Sequence, residues 1–213
     1  MAKLAAALLI VFLVLTLFVR VAIQLRSTGK TGLIGLRRDA GLVDWLSGIL
    51  FIGGMAMAIV SIQLVLQNSL DPIAALDVGV LHVIGVVVGV AGGTAVFLAQ
   101  LGMGENWRIG VKDDQQTDLV TGGWFSICRN PIYTAMIVGW LGFALMVPTW
   151  LGFVAVVSIA GGLELQVRAV EEPYLLRTHG TEYRRYGSRV GRFMPGVGRL
   201  KSSVGEFLTD GRE

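Results

Sequence analysis

Five apolar runs constrain this chain more than any other feature. They cover Leu4–Leu25, Trp45–Leu66, Val78–Leu101, Pro131–Val147 and Thr149–Val167. A helix that crosses a bilayer needs about 20 mostly apolar residues, within a range of about 17 to 25. The fourth run is the shortest. At 1.5 Å per residue it extends about 25 Å, so it just crosses or stops short of the far side. Pro148 separates it from the fifth run, and so short a break predicts a tight antiparallel hairpin. Composition agrees. The 213 residues are 54% hydrophobic and 15% charged, whereas soluble domains carry about 25% charged residues. The expectation is an all-α integral membrane protein with about five transmembrane helices. The first run lacks a small-residue cleavage site and carries a basic flank from Arg20 to Arg38, which argues against a signal peptide.

Basic residues orient the bundle. Sixteen of the 18 lie in the segments after the first, third and fifth runs. Those after the second and fourth hold none; the exceptions are Lys3 and Arg20, the latter inside the first run. The positive-inside rule assigns the basic side to the cytoplasm and the N-terminus to the other side. The expected location is therefore a multi-pass membrane protein, in the cell membrane if bacterial. The basic tail fits a membrane surface, and no nucleic-acid motif is present.

Gly85 and Gly89 form a small-xxx-small face for close helix packing. A nucleotide-binding loop is a poor reading of GVVVGVAGG, since no strand precedes it. Cys128 is the single cysteine, so it forms no intrachain disulfide and is expected to pack. His82 and His179 lack companion ligands, and no metal site is expected.

The long polar stretches, residues 102–130 and 167–199, fall on the basic side, and a site for a soluble cofactor would form between them. The chain accordingly divides into a three-helix region, 1–101, and a catalytic region, 102–213, containing the hairpin 131–167. SICRNPIY places Asn130 as an N-cap before Pro131 at the first helical position. That leaves a helix N-terminus able to receive an anionic or acceptor group. Arg168 is three residues from Glu171 and four from Glu172, so both carboxylates are expected beside its guanidinium on one helical face. Gly180 predicts a helix stop, and Pro195 closes the following surface element.

Taken in order, these pieces resemble the isoprenylcysteine carboxyl methyltransferase family, which in turn resembles the phospholipid N-methyltransferases. The matching residues are Leu101-Gly102 with Asn106-Trp107, Leu119-Val120-Thr121-Gly122-Gly123, Arg129-Asn130-Pro131-Ile132-Tyr133, Arg168 with Glu171-Glu172, Gly180-Thr181-Glu182-Tyr183-Arg184-Arg185-Tyr186, and Pro195. They cover roughly residues 100–195. The resemblance implies an S-adenosylmethionine (SAM) site formed by Thr117, Asp118, Leu119, Val120, Phe125, Asn130 and Glu172, with Glu171 as the competing register. It implies catalytic roles for Arg168, at the reacting centre, and Glu172. Asn130 stands where the family has His, which speaks against a general base there. The acceptor implied is a lipophilic small molecule or lipid, foremost a carboxylate such as a prenylcysteine. A phospholipid amine is the nearest alternative. An NADPH-dependent sterol or lipid reductase and a purely structural membrane protein are the other two readings.

Overall fold

The computed structural model describes residues 1–33, 41–107 and 118–201. Its described residues form helices, with one isolated bridge between Cys128 and Gly191. Helix α1 is Ala2–Thr28, α2 is Leu42–Leu66 and α3 is Gly79–Gly102. Helix α4 is Pro131–Met146 and α5 is Trp150–Gln166. A π-helical turn, Val167–Glu171, continues α5 without a break into α6, Glu172–Arg189. Helices α1, α2, α3 and the α5–α6 rod are long and apolar enough to cross a membrane, and α4 is shorter, at 16 residues. The expected helical membrane fold is thus borne out.

Local chemistry sets the ends. The Gly41 amide donates to Asp44 Oδ2 at 2.9 Å at the start of α2. Thr149 caps α5, its hydroxyl accepting from the Gly152 amide at 2.9 Å. Gly180 adopts φ 51°, ψ −119° and breaks α6 into two pieces, where the sequence predicts a stop. Such a backbone disfavours any residue with a Cβ.

Glycine sets the helix spacing. A Cβ on Gly92 would lie 2.5 Å from the Gly139 nitrogen, and one on Gly142 would lie 2.2 Å from the Gly89 nitrogen. Helices α3 and α4 therefore meet backbone to backbone, as the Gly85–Gly89 face predicts. The second pair, α2 and α5, meets the same way at Gly54 and Gly162. An edge-to-face trio of Phe12, Trp140 and Phe143, with centroids 5.8–6.0 Å apart, seats α1 against α4.

The two ends of the bundle differ. At one end the α2–α3 connection meets the α4–α5 turn, where the Ile73 amide donates to the Pro148 carbonyl at 2.7 Å. His82 belongs to this end, 2.9 Å from Asp77 Oδ1. The opposite end gathers the C-terminus of α1, the exit of α3, the start of α4 and all of α6.

Candidate active site

The π turn decides where the charged side chains of this end point. Proline lacks an N–H, and its ring collides with the carbonyl four residues back. Pro173, one residue into α6, therefore cannot follow regular α-helix, and the helix widens just before it. In a π turn the hydrogen bonds reach five residues rather than four, so four residues no longer complete a turn. The expected face of Arg168, Glu171 and Glu172 is accordingly split. Arg168 turns outward, its side chain 61% exposed, and pairs through Nε with Glu164 one α-turn earlier. Glu171 is half-buried and accepts the Tyr133 hydroxyl at 2.5 Å.

Glu172 points the other way. It is buried, held by Arg129 on one side and Arg192 on the other. Arg192 grips both oxygens, Nε to Oε1 and Nη2 to Oε2, each at 2.8 Å. That bond is the chief reason the Arg192 guanidinium pKa lies above its ordinary value. The side chain of Arg129 is 1% exposed. Besides Glu172 it donates to the carbonyls of Gly187 at 2.9 Å, Val190 at 2.7 Å and Gly198 at 3.1 Å. A carboxylate between two guanidiniums in a buried site is a strong, directional fastening.

What it fastens is a strap. Residues 190–200 cross the start of α4. The amides of Arg129 and Asn130 donate to the carbonyls of Gly191 at 2.8 Å and Arg192 at 3.0 Å. Asn130 Nδ2 also donates to the Arg192 carbonyl, at 3.1 Å, and Thr134 Oγ1 donates to the Phe193 carbonyl at 2.8 Å. Asn130 precedes Pro131 as expected, but its side chain makes no capping bond to α4. Backbone carbonyls of the strap engage this helix start instead, and Asn130 serves as their clip.

The remaining predicted residues fall around this knot. Thr117 lies outside the described residues. Asp118 is exposed, Leu119 and Val120 are half-buried, and Phe125 is buried. The Phe125 carbonyl accepts the Tyr186 hydroxyl at 2.6 Å, and Tyr186 packs edge-on against buried Tyr183, with centroids 6.1 Å apart. The segment before α4 is thus pinned to the second half of α6. Cys128 is buried, its sulfur 3.7 Å from Thr134 Oγ1. Arg129, Tyr133 and Arg192 carry more of this architecture than their motifs suggest. Pro173 was the available sign that the helical spacing fails at 168–172.

These features define a multi-pass helical membrane protein with a charged, strapped knot at one end. Residues 80–182 match the family model for phospholipid methyltransferase. The structure is similar to that of the eukaryotic intramembrane Ras methyltransferase, isoprenylcysteine carboxyl methyltransferase, with a TM-score of 0.58 and 19% sequence identity, over 87% of this chain and 63% of that one. The chain therefore spans just under two thirds of that protein's length. No curated protein sequence matches the chain significantly. The resemblance carried by the ordered motifs is borne out by the family match and the fold alike.

Proposed function

We propose that this protein methylates a lipophilic acceptor, using SAM at the knot end of the bundle. The acceptor is a carboxylate of the prenylcysteine or isoprenoid-acid kind. The observation that carries this reading is one π turn at the end of a membrane-crossing helix. It presents an exposed guanidinium, Arg168, and a half-buried carboxylate, Glu171, bonded to Tyr133. The family match over residues 80–182 supports the transfer chemistry.

The residues present fit SAM. Phe125 with half-buried Leu119 and Val120 would offer apolar surface to the adenine ring. When bound, SAM supplies an electrophilic methyl carbon whose departure leaves its sulfur neutral. Glu171 would set a negative charge beside the sulfonium, oriented by Tyr133. Glu172, already between two guanidiniums, acts through the strap rather than on the cofactor. Arg168 would orient an acceptor carboxylate through its planar fork. Such a nucleophile is ionised at neutral pH and needs alignment and desolvation, not a base, which suits Asn130 in place of His. The basic segments support a cytoplasmic setting for this end.

Calorimetry on detergent-solubilised protein tests the reading. S-adenosylhomocysteine should bind and NADPH should not. The reverse result would favour the reductase. Labelled methyl should pass from SAM to a prenylcysteine acid. Transfer to phosphatidylethanolamine alone would move the acceptor to an amine.

A further inference from the structure

Arg20 sits inside the apolar helix α1 and is 1% exposed. Among the described residues its partners are neutral. Nε donates to the Gln100 carbonyl at 3.3 Å, Nη2 donates to the Gly104 carbonyl at 2.6 Å, and the guanidinium lies 4.5 Å from the centroid of Trp107. Gln24, one turn further along and also buried, donates to the Glu105 carbonyl at 2.7 Å. Gln100 answers from α3, its Nε2 donating to the Thr16 carbonyl at 3.1 Å. Every one of these contacts joins α1 to residues 100–107, where the chain leaves α3 towards Leu119 and Val120.

The arrangement is costly. Arg20 Nη1, Gln24 Oε1 and Gln100 Oε1 are buried without a hydrogen-bond partner among the described residues. Apolar packing of similar volume would tie two helices together at least as well. A charged side chain at this depth defaults to a functional role, and here its donors are spent on the backbone of one exit segment. That segment is held on its other faces too. A Cβ on Gly32 would meet the Trp107 ring at 3.0 Å, and one on Gly102 would meet the Trp124 ring at 3.7 Å, next to Phe125.

We infer that Arg20 and Gln24 are positioning residues: they fix the exit of α3, and through it the 118–125 segment that would seat SAM. The N-terminal helix then takes part in cofactor affinity without touching the cofactor. This rests on the function proposed above.

The experiment compares Arg20→Lys, Arg20→Met and Gln24→Ala with wild type, as full chains in detergent, measuring S-adenosylhomocysteine affinity and the thermal midpoint. Ser61→Ala is the control. It removes an equally buried polar tie, the 2.5 Å Ser61–Thr149 hydroxyl pair, at the opposite end of the bundle. Coupling of this kind is typically about 5- to 150-fold. Arg20→Met and Gln24→Ala should weaken binding at least about five-fold. Arg20→Lys should fall between wild type and Arg20→Met, because an ammonium keeps the charge but loses the fork. Ser61→Ala should lower the midpoint and leave affinity unchanged. If Arg20→Met and Gln24→Ala lower the midpoint but bind like wild type, the cluster is structural and the inference is overturned. If Arg20→Met does not fold, Gln24→Ala alone decides. A wild type that binds no S-adenosylhomocysteine would instead remove the methyltransferase reading, and this inference with it.

Discussion

Arg192 grips Glu172 with two parallel hydrogen bonds, each 2.8 Å long, across 20 residues of chain. The same carboxylate pairs with buried Arg129. Removing the charge of Glu172 therefore leaves Arg129 buried beside neutral carbonyls. Breaking a buried pair in this way costs about 3 to 5 kcal/mol. Glu172→Gln should lower the thermal midpoint sharply and expose residues 190–200 to protease. A variant as stable as wild type would show that the strap does not depend on this carboxylate.

Glu171 should act on charge. SAM is a sulfonium cation at its reacting centre, whereas S-adenosylhomocysteine is a neutral thioether there. Glu171→Gln should weaken SAM binding more than S-adenosylhomocysteine binding, by about ten-fold for each 1.4 kcal/mol lost. Tyr133→Phe removes the 2.5 Å hydroxyl bond that orients Glu171 and should shift the ratio in the same direction, by less. Equal losses for both ligands in Glu171→Gln would mean that this carboxylate does not face the sulfonium.

Arg168 should be dispensable for folding, because its side chain is 61% exposed and its partner is Glu164 on the same helix. Exposed pairs of this spacing contribute only about 0.3 to 0.5 kcal/mol. Arg168→Lys should keep the midpoint and S-adenosylhomocysteine affinity but slow methylation roughly ten- to a hundred-fold, the loss of one charge-assisted bond of about 1.5 to 3 kcal/mol. Full turnover would leave the residue as an interfacial anchor.

Two glycines of the α3–α4 contact should respond oppositely to alanine. At Gly142 the new Cβ would meet backbone at 2.2 Å, but at Gly89 the nearest atom is 3.8 Å away. Gly142→Ala should destabilise by about 1 to 3 kcal/mol, as overpacking does. Gly89→Ala should be neutral or stabilising, since alanine favours helix over glycine by about 1 kcal/mol. Thermal unfolding of both variants checks the contact, and equal effects would argue against this helix register.

Sidedness has a direct measurement. In a Cys128→Ala background, cysteines placed at Ser69, in the α2–α3 connection, and at exposed Ser126 should react with impermeant reagent from opposite faces of the membrane. Reaction of both from one face would remove the proposed topology.

The helical membrane class, the approximate positions of the apolar helices and the glycine contact follow from the sequence by itself. Apolar run length is a local quantity measured against a fixed bilayer thickness, and Gly85 with Gly89 lies on one helical face whatever the partner. Gly180 and Pro131 likewise act through their own backbone limits. The partners of the charged residues belong to the tertiary structure. Glu172 reaches Arg129 across 43 residues, and Arg20 reaches Gly104 across 84. No periodicity within one helix encodes such distances. The expected Arg168–Glu171–Glu172 face rests on α-helical spacing, and the π turn before Pro173 removes that spacing at the very residues it was used to align. The start of α4 shows the same division. Its sequence describes a capped helix end, and only the folded tail supplies the carbonyls that accept from Arg129, Asn130 and Thr134 around it, because a strap about 60 residues downstream is brought there by the packing of α5 and α6.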